Sequence, residues 1–214
     1  MARERIYRAC GINQDGGFMA KVYLRTDMYE EACRNVEFVA DRLAHVLGDP
    51  YDWKWVILGL HAALQCFMVA ALRDSAGINI LRPRIRAKLL SALQEDSPSP
   101  EGHLDYFLVL YKGTQGNAMH KYVHSKQLAP TQAQDAAIRM LNSLRNNFVH
   151  FVPKHCSIEV SGLPEAVMEC IAVIHFLAFE CGNILWTCGR GARVKGALSA
   201  IHAGALSLKA SYTA

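Results

Sequence analysis

Residues 52–72 have the sequence DWKWVILGLHAALQCFMVAAL and give the strongest indication of the fold. Apolar side chains occupy nearly every direction around a helix that Asp52 caps and that stops before residues 74–77. A helix that is apolar all round must be surrounded by other elements, so this one is expected to be the most buried of the fold.

Two apolar stretches, residues 55–72 and 170–186, are long enough to suggest a membrane protein. Both carry side chains that are costly at the centre of a bilayer, namely His61, Gln65, His175, Glu180 and Asn183. Core helices of a bundle explain them better, and no membrane partner is expected. Residues 1–10 are charged and hold no apolar run typical of a signal peptide, which predicts a cytoplasmic protein.

Hydrophobic periodicity and helix-capping signals predict the other helices. They are residues 28–47 after Thr26 or Asp27 as N-cap, 83–93, 101–111, a helix from Thr131 that ends between residues 146 and 151, and 163 to about 186. Thr131 and Gln134 have the spacing of a capping box. No convincing strand pattern lies between residues 28 and 188. The predicted class is therefore all-α, a bundle of about five or six helices.

Three regions are expected along the chain. Residues 1–27 form an N-terminal arm of uncertain structure, with a short apolar alternation around Phe18 to Leu24, and residues 28–188 form the helical domain. Residues 189–214 are a basic, small-residue C-terminal tail. This tail is predicted to be a loose helix or disordered, and dispensable for the core.

The composition excludes several classes of protein. The chain has 214 residues, of which 51% are hydrophobic and 20% charged, so it can bury a core and is not disordered. Its net charge of +4 permits a polyanionic partner without requiring one. Seven cysteines cannot all pair within one chain and are expected to be reduced. Cys170, His175, Cys181 and Cys188 come nearest to a metal-ligand cluster, but no Cys-x-x-Cys occurs, so neither metal nor cofactor is expected.

Residues 141–154 carry the sequence with the most chemical information, LNSLRNNFVHFVPK. The spacing of Arg145 and His150, with Asn146 after the arginine, resembles the Arg-x4-His signature of the HEPN superfamily. That family consists of helical proteins, many of them RNases of toxin–antitoxin, phage-defence and RNA-processing systems. Over residues 28–188 the resemblance implies a HEPN-like bundle, a homodimer with both motifs in one cleft, and catalytic roles for Arg145, Asn146 and His150.

The same residues suit RNA cleavage on chemical grounds. Cleavage without a metal needs a base for the 2′-hydroxyl, an acid for the leaving 5′-oxygen and positive charge on the transition state. An imidazole can serve as acid or base, and a guanidinium can grip a phosphate. On a helix, Asn146 and His150 lie about 40° apart and Arg145 and His150 about 140° apart. One chain supplies one motif histidine, so two copies are expected to meet across a two-fold axis.

Several basic residues are candidates to guide the RNA backbone. Lys121, His124 and Lys154 are predicted to bind substrate, with Lys126 and the run Arg82, Arg84, Arg86 and Lys88 as further candidates. The segment 112–129 that holds three of them is expected to be an exposed, basic connection.

Other interpretations of the motif remain open. Arg145 and His150 could be a structural pair within a non-catalytic HEPN-like module that binds a nucleotide, an RNA or a protein. Phe148, Val149 and Phe151 fit core or dimer contacts better than base stacking, and His61 and Gln65 could face the motif or be satisfied core polar groups.

The resemblance also allows an antitoxin or another protein as a partner. In the toxin branch that is silenced by nucleotide addition to a tyrosine, that tyrosine follows the histidine by two positions. Val152 occupies this position here, which argues against control of that kind.

Overall fold

A computed structural model describes residues 7–12, 18–150 and 157–213 and confirms the all-α class, with seven α-helices in these ranges. The helices are α1 Met28–His45, α2 Asp52–Leu72, α3 Pro83–Gln94, α4 Phe107–Gly113, α5 Gln132–Val149, α6 Leu163–His175 and α7 Arg190–Thr213. A 3₁₀ turn occupies Asn117–Met119. Before α1, two strands form an antiparallel hairpin, β1 Tyr7–Ile12 and β2 Phe18–Tyr23, with Tyr7 opposite Tyr23.

Helix α2 lies at the centre of the bundle, as its sequence predicts. It packs against α1, α4, α5 and α6. By length and composition α2 is long and apolar enough to cross a membrane, but 72% of its most apolar stretch is buried inside the protein. Burial of that kind is what the core helix of a soluble protein shows.

The predicted capping signals are confirmed at α1 and α5. Asp27 accepts hydrogen bonds from the backbone N–H groups of Tyr29 and Glu30, both at 2.9 Å. Thr131 and Gln134 form the reciprocal capping box. At α2 the boundary shifts by one residue, because Asp52 is the first helical residue rather than the cap and its carboxylate lies 3.5 Å from the guanidinium of Arg42.

The helix predicted over residues 101–111 is shorter than expected. Only Phe107–Gly113 is helical, while Leu104 forms a β-bridge with Leu81. The side chain of Arg82 donates to the carbonyl of Leu104 at 3.2 Å. This long-range pairing satisfies the backbone before residue 107, so the preceding residues have no need of helical bonds.

The helix predicted from residue 163 to about 186 also ends early. α6 stops at His175 and continues as a π-helical turn over Phe176–Glu180. Gly182 then adopts a positive φ of 77°, and a Cβ there would lie 2.8 Å from the carbonyl oxygen of His124. The chain therefore turns at the only residue type that fits both the conformation and the close approach.

The C-terminal segment differs most from its prediction, which was wrong to call it dispensable for the core. Residues 190–213 form a 24-residue helix that packs on α1 and α6. Six of its residues belong to the buried core: Val194, Ala197, Leu198, Ile201, Ala205 and Leu208. Small residues allow the close contact, since a Cβ on Gly204 would lie 3.2 Å from Leu43. Val194, Leu198, Ile201 and Leu208 follow one another at helical spacings of four, three and seven residues, a pattern that the prediction overlooked among the small residues.

Candidate functional site at the end of helix α5

Helix α5 presents its motif residues at its C-terminal end. Ala137, Ile138 and Leu141 anchor one face of the helix in the core. The helix ends at Val149, within the predicted interval, and His150 is the C-cap with φ −104° and ψ 57°. The backbone N–H of His150 still donates to the carbonyl of Asn146 at 2.9 Å. The imidazole is therefore carried on the last hydrogen-bonded turn rather than on a loose loop.

The three motif side chains lie at the protein surface. Asn146 and His150 are exposed, and Arg145 is half-buried. The Nη1 atom of Arg145 donates to Oδ1 of Asn146 at 3.0 Å. Among the residues described, no hydrogen bond joins Arg145 to His150, in agreement with their separation of about 140° around the helix. Within one chain, Arg145 and His150 therefore lie on different sides of the end of α5.

A polar contact inside the bundle lies next to the motif. Nε2 of His61 lies 3.4 Å from Oδ1 of Asn142, and the imidazole stacks on the ring of Phe107. Burial lowers the pKa of His61 to about 4, the hydrogen bond to Asn142 opposes this shift, and the nearby charge of Arg145 adds to it. His61 is therefore neutral at neutral pH. Its contact with Asn142 gives one ring nitrogen a hydrogen-bond partner inside the core, close to the site.

Asn142 is the residue of this region that sequence reasoning missed. It stands in the motif-bearing stretch one helical turn before Asn146, but nothing in the sequence identifies its partner. Gln65, which was considered together with His61, is half-buried on the same helix.

The predicted substrate-binding residues do not gather at this site. Lys121 donates through Nζ to the backbone carbonyl of Arg73, at the C-terminal end of α2. Twelve residues separate Arg73 from His61, a rise of roughly 18 Å along the helix. His124 is exposed on the same loop as Lys121, and Lys154 lies outside the described residues. Lys121 and His124 therefore belong to a different end of the bundle from Arg145.

The basic run on α3 is partly structural. Nη2 of Arg86 donates to the carbonyls of Asn79 and Leu81 at 3.0 and 3.2 Å. The guanidinium of Arg82 lies 4.4 Å from the ring centre of Tyr106, in addition to its bond to the backbone. These contacts hold the segment between α2 and α4. Of the basic run, Arg84 and Lys88 remain as the residues that could contact an RNA.

The five cysteines whose side chains the structure describes are free thiols. Cys33, Cys170 and Cys181 are buried, Cys66 is half-buried and Cys188 is exposed. Burial raises the pKa of Cys33 and of Cys66 to about 11 each. Buried thiols of this kind are poor nucleophiles. Within the described part of the chain, no group of three or more histidine, cysteine, aspartate or glutamate side chains is arranged to hold a metal ion.

Comparison with protein-family models, with curated proteins and with solved structures finds no match to this chain.

Proposed function

We propose that this protein is a metal-independent endoribonuclease of the HEPN type. It cleaves RNA by attack of the 2′-hydroxyl on the adjacent phosphate, leaving 2′,3′-cyclic phosphate and 5′-hydroxyl ends. The observation that supports this proposal best is the shared exposure of Asn146 and His150 at the end of α5, with the guanidinium of Arg145 held against Asn146. A cytoplasmic toxin or phage-defence protein, with an antitoxin or other protein partner, is the corresponding biological role.

Arg145 supplies positive charge for the transition state. It takes part in none of the ion pairs found among the described residues. A guanidinium has five N–H donors, of which one bond to Asn146 uses one. The remaining donors suit a phosphate, and Asn146 fixes the plane of the fork in advance.

The exposed face of α5 extends this site along the helix. Arg139, Ser143, Asn146 and His150 are all exposed and follow one another at spacings of four, three and four residues. Residues at these spacings line one side of a helix, over about 16 Å of its length. A polar stripe with a cation at its far end can follow the phosphates of a single strand.

The proposed mechanism needs two copies of the chain. Proton removal from the 2′-hydroxyl and proton delivery to the 5′-oxygen are separate roles, and each motif contributes one imidazole. A two-fold axis beside α5 would supply the second imidazole and the second arginine. His150 of one protomer then acts as the base and the same residue of its partner as the acid.

A non-catalytic HEPN-like module that binds a nucleotide, an RNA or a protein is the second candidate. The observation in its favour is that Arg145 is half-buried and that its charge acts on the buried His61, as in a structural polar cluster. This candidate predicts binding without turnover. A loss of more than about 1 kcal/mol of stability in His150→Ala is expected only if that side chain is a buried partner, which the exposure of His150 disfavours.

The proposal is tested by incubating labelled single-stranded RNA with the purified full chain in EDTA. We expect cleavage, with product ends that acid converts from cyclic to open phosphates. Arg145→Ala and His150→Ala should each reduce the rate by about 10²-fold or more, the range for lost charge stabilisation and for a lost general acid or base.

Two exposed residues provide matched controls. Arg34→Ala and His202→Ala remove the same side-chain types from α1 and α7 and should leave the rate unchanged. Cleavage that persists in both Arg145→Ala and His150→Ala would contradict the catalytic proposal. RNA binding by all variants without any cleavage would favour the binding module.

A further inference from the structure

A groove of about 720 Å³ opens at the C-terminal end of α2, far from the end of α5. It lies between the start of α1, the residues that follow α2 and the loop after the 3₁₀ turn. The side chains that could contact a ligand are those of Tyr29, Arg73, Asp74, His120, Lys121 and Tyr122. A volume of this size is within the range of small-molecule sites in proteins.

The walls of the groove are fixed by the end of α2. Three side chains from separate loops each bind one of the last backbone carbonyls of the helix: Asn183 to Ala71 at 3.0 Å, Asn79 to Leu72 at 2.6 Å, and Lys121 to Arg73. Asn183 also donates to the carbonyl of Met119 at 2.8 Å and accepts from the hydroxyl of Ser125 at 2.6 Å. The loop that carries Lys121 and Tyr122 is thus attached to the core.

Positive charge exceeds negative charge in this groove, because Arg73 and Lys121 line it together with the single carboxylate of Asp74. Neither Lys121 nor Arg73 belongs to an ion pair among the described residues. Lys121 is half-buried, burial lowers the pKa of its ammonium group, and one carbonyl uses one of its three N–H donors. Arg73 is exposed, and no side-chain hydrogen bond occupies its guanidinium in the described part of the chain.

The acidic residue that lines the groove does not cancel this charge. Asp74 accepts the backbone N–H of Ile78 at 3.1 Å, which ties its carboxylate to the turn after α2. Two cationic side chains therefore line the groove with one carboxylate, and His120 is a third nitrogen group beside them. An ammonium and a guanidinium side by side suit the two negative charges of a phosphate monoester.

Tyrosine rings provide the rest of the binding surface. Tyr29 is half-buried and is held edge-on against Trp186, with ring centres 6.1 Å apart. Tyr122 is 60% exposed on the opposite loop, and its side chain makes no hydrogen bond with the described residues. Rings of this kind favour a flat partner, because aromatic faces and edges stack on one another.

We infer that this groove binds a small organic phosphate, a phosphate monoester whose organic part contains a flat ring. Arg73 and Lys121 hold the phosphate, and Tyr29 and Tyr122 lie against the ring. The site is separate from the end of α5 and does not depend on whether Arg145 and His150 catalyse a reaction.

Isothermal titration of the full chain with phenyl phosphate, with adenosine 5′-monophosphate and with inorganic phosphate tests this inference. We expect at least one of the two esters to bind with a Kd below about 1 mM and more tightly than inorganic phosphate. Arg73→Ala and Lys121→Met should each weaken that binding about tenfold or more, the effect of losing one hydrogen bond to a charged group. Tyr122→Ala should weaken the ester without changing the affinity for inorganic phosphate.

Arg84→Ala is the matched control, since it removes an exposed arginine of α3 that does not line the groove. Because Lys121 also binds the end of α2, thermal unfolding of Lys121→Met must be compared with that of the wild type. Arg73→Ala and Tyr122→Ala remove no bond of the fold and keep the test decisive if that variant unfolds. Failure of both esters to bind, equal affinity for inorganic phosphate, or unchanged binding in Arg73→Ala would overturn the inference.

Discussion

The imidazole of His61 lies nearly parallel to the ring of Phe107, with ring centres 3.9 Å apart and planes 20° apart. His61 is only 5% exposed, and its pKa of about 4 lies below the ordinary value of 6.5. The folded chain therefore resists protonation of His61 while the unfolded chain accepts it. The contribution of neutral His61 to the free energy of unfolding is fully present above about pH 6.5, and it is lost as the pH decreases towards 4.

This relationship predicts a measurable pH dependence. Between about pH 7.5 and about pH 5, the His61 contribution to the free energy of unfolding should fall by about 2 kcal/mol. Urea unfolding at the two pH values measures it. His61→Gln should lose this part of the dependence, whereas His202→Gln, an exposed histidine of α7, should retain it. Equal slopes for wild type and His61→Gln would show that the buried imidazole is not responsible.

Two helical glycines differ in the space around them, so alanine is expected to have opposite effects on stability at the two positions. A Cβ on Gly59 would lie 2.9 Å from atoms of both Phe38 and Val39, whereas a Cβ on Gly196 would meet nothing within 4 Å. Gly59→Ala should therefore reduce the free energy of unfolding by about 1–3 kcal/mol through overpacking. Gly196→Ala, in an exposed part of α7, should increase it by about 0.5–1 kcal/mol. Chemical denaturation of the wild type and the two variants checks the direction of each change in the free energy of unfolding. If Gly59→Ala is as stable as the wild type, α1 and α2 can move apart enough to accommodate the added methyl group.

The attachment of α7 to α1 predicts a role for Arg193. Its guanidinium holds both carboxylate oxygens of Glu37 at 2.7 Å and reaches Glu30 at 3.0 Å. The hydrogen bond from Arg193 lowers the pKa of Glu30. Because these groups are about one-third exposed, solvent screening limits the expected loss in Arg193→Ala to about 1 kcal/mol.

Lys209→Ala is the comparison for Arg193→Ala. Lys209 pairs with Glu165 at 3.0 Å in a more exposed position, so its removal should cost less than about 0.5 kcal/mol. Thermal unfolding of both variants at low and high salt would separate them. A larger effect from Lys209 than from Arg193 would contradict this account of how α7 is held.

The proposed ribonuclease mechanism predicts a homodimer. Light scattering after size exclusion should give twice the chain mass of 23.7 kDa. Val149 directly precedes His150 and is 48% exposed, so it would lie in a dimer interface formed beside the motif. Val149→Glu should convert the dimer to monomer and reduce RNA cleavage, because a buried unpaired charge is costly. Val123→Glu alters a valine that is 95% exposed and should change neither property. A monomer with full activity would exclude the two-copy mechanism.

Local patterns in the sequence were sufficient to predict most of the helices that form the core. Asp27, Thr131 and Gln134 signal two helix starts because a capping bond spans only three residues. The continuous apolar surface of residues 52–72 requires burial whatever surrounds it. The end of α5 near His150 follows from Pro153, which restricts the residue before it. The position of the motif at a helix terminus could therefore be predicted from neighbouring residues alone.

Contacts between residues that are distant in sequence depend on how the helices pack. His61 lies against Phe107 and Asn142 because three helices pack together, and Lys121 binds the end of α2 rather than joining Arg145. Helix α7 joins the core through an apolar face, which its own spacing indicates, and through Arg193, whose partners Glu30 and Glu37 lie on α1. Helical periodicity reports on neighbours within a few residues, whereas these contacts join segments that are remote in sequence. Their partners depend on the shape of the whole packed bundle, which no single stretch of the sequence contains.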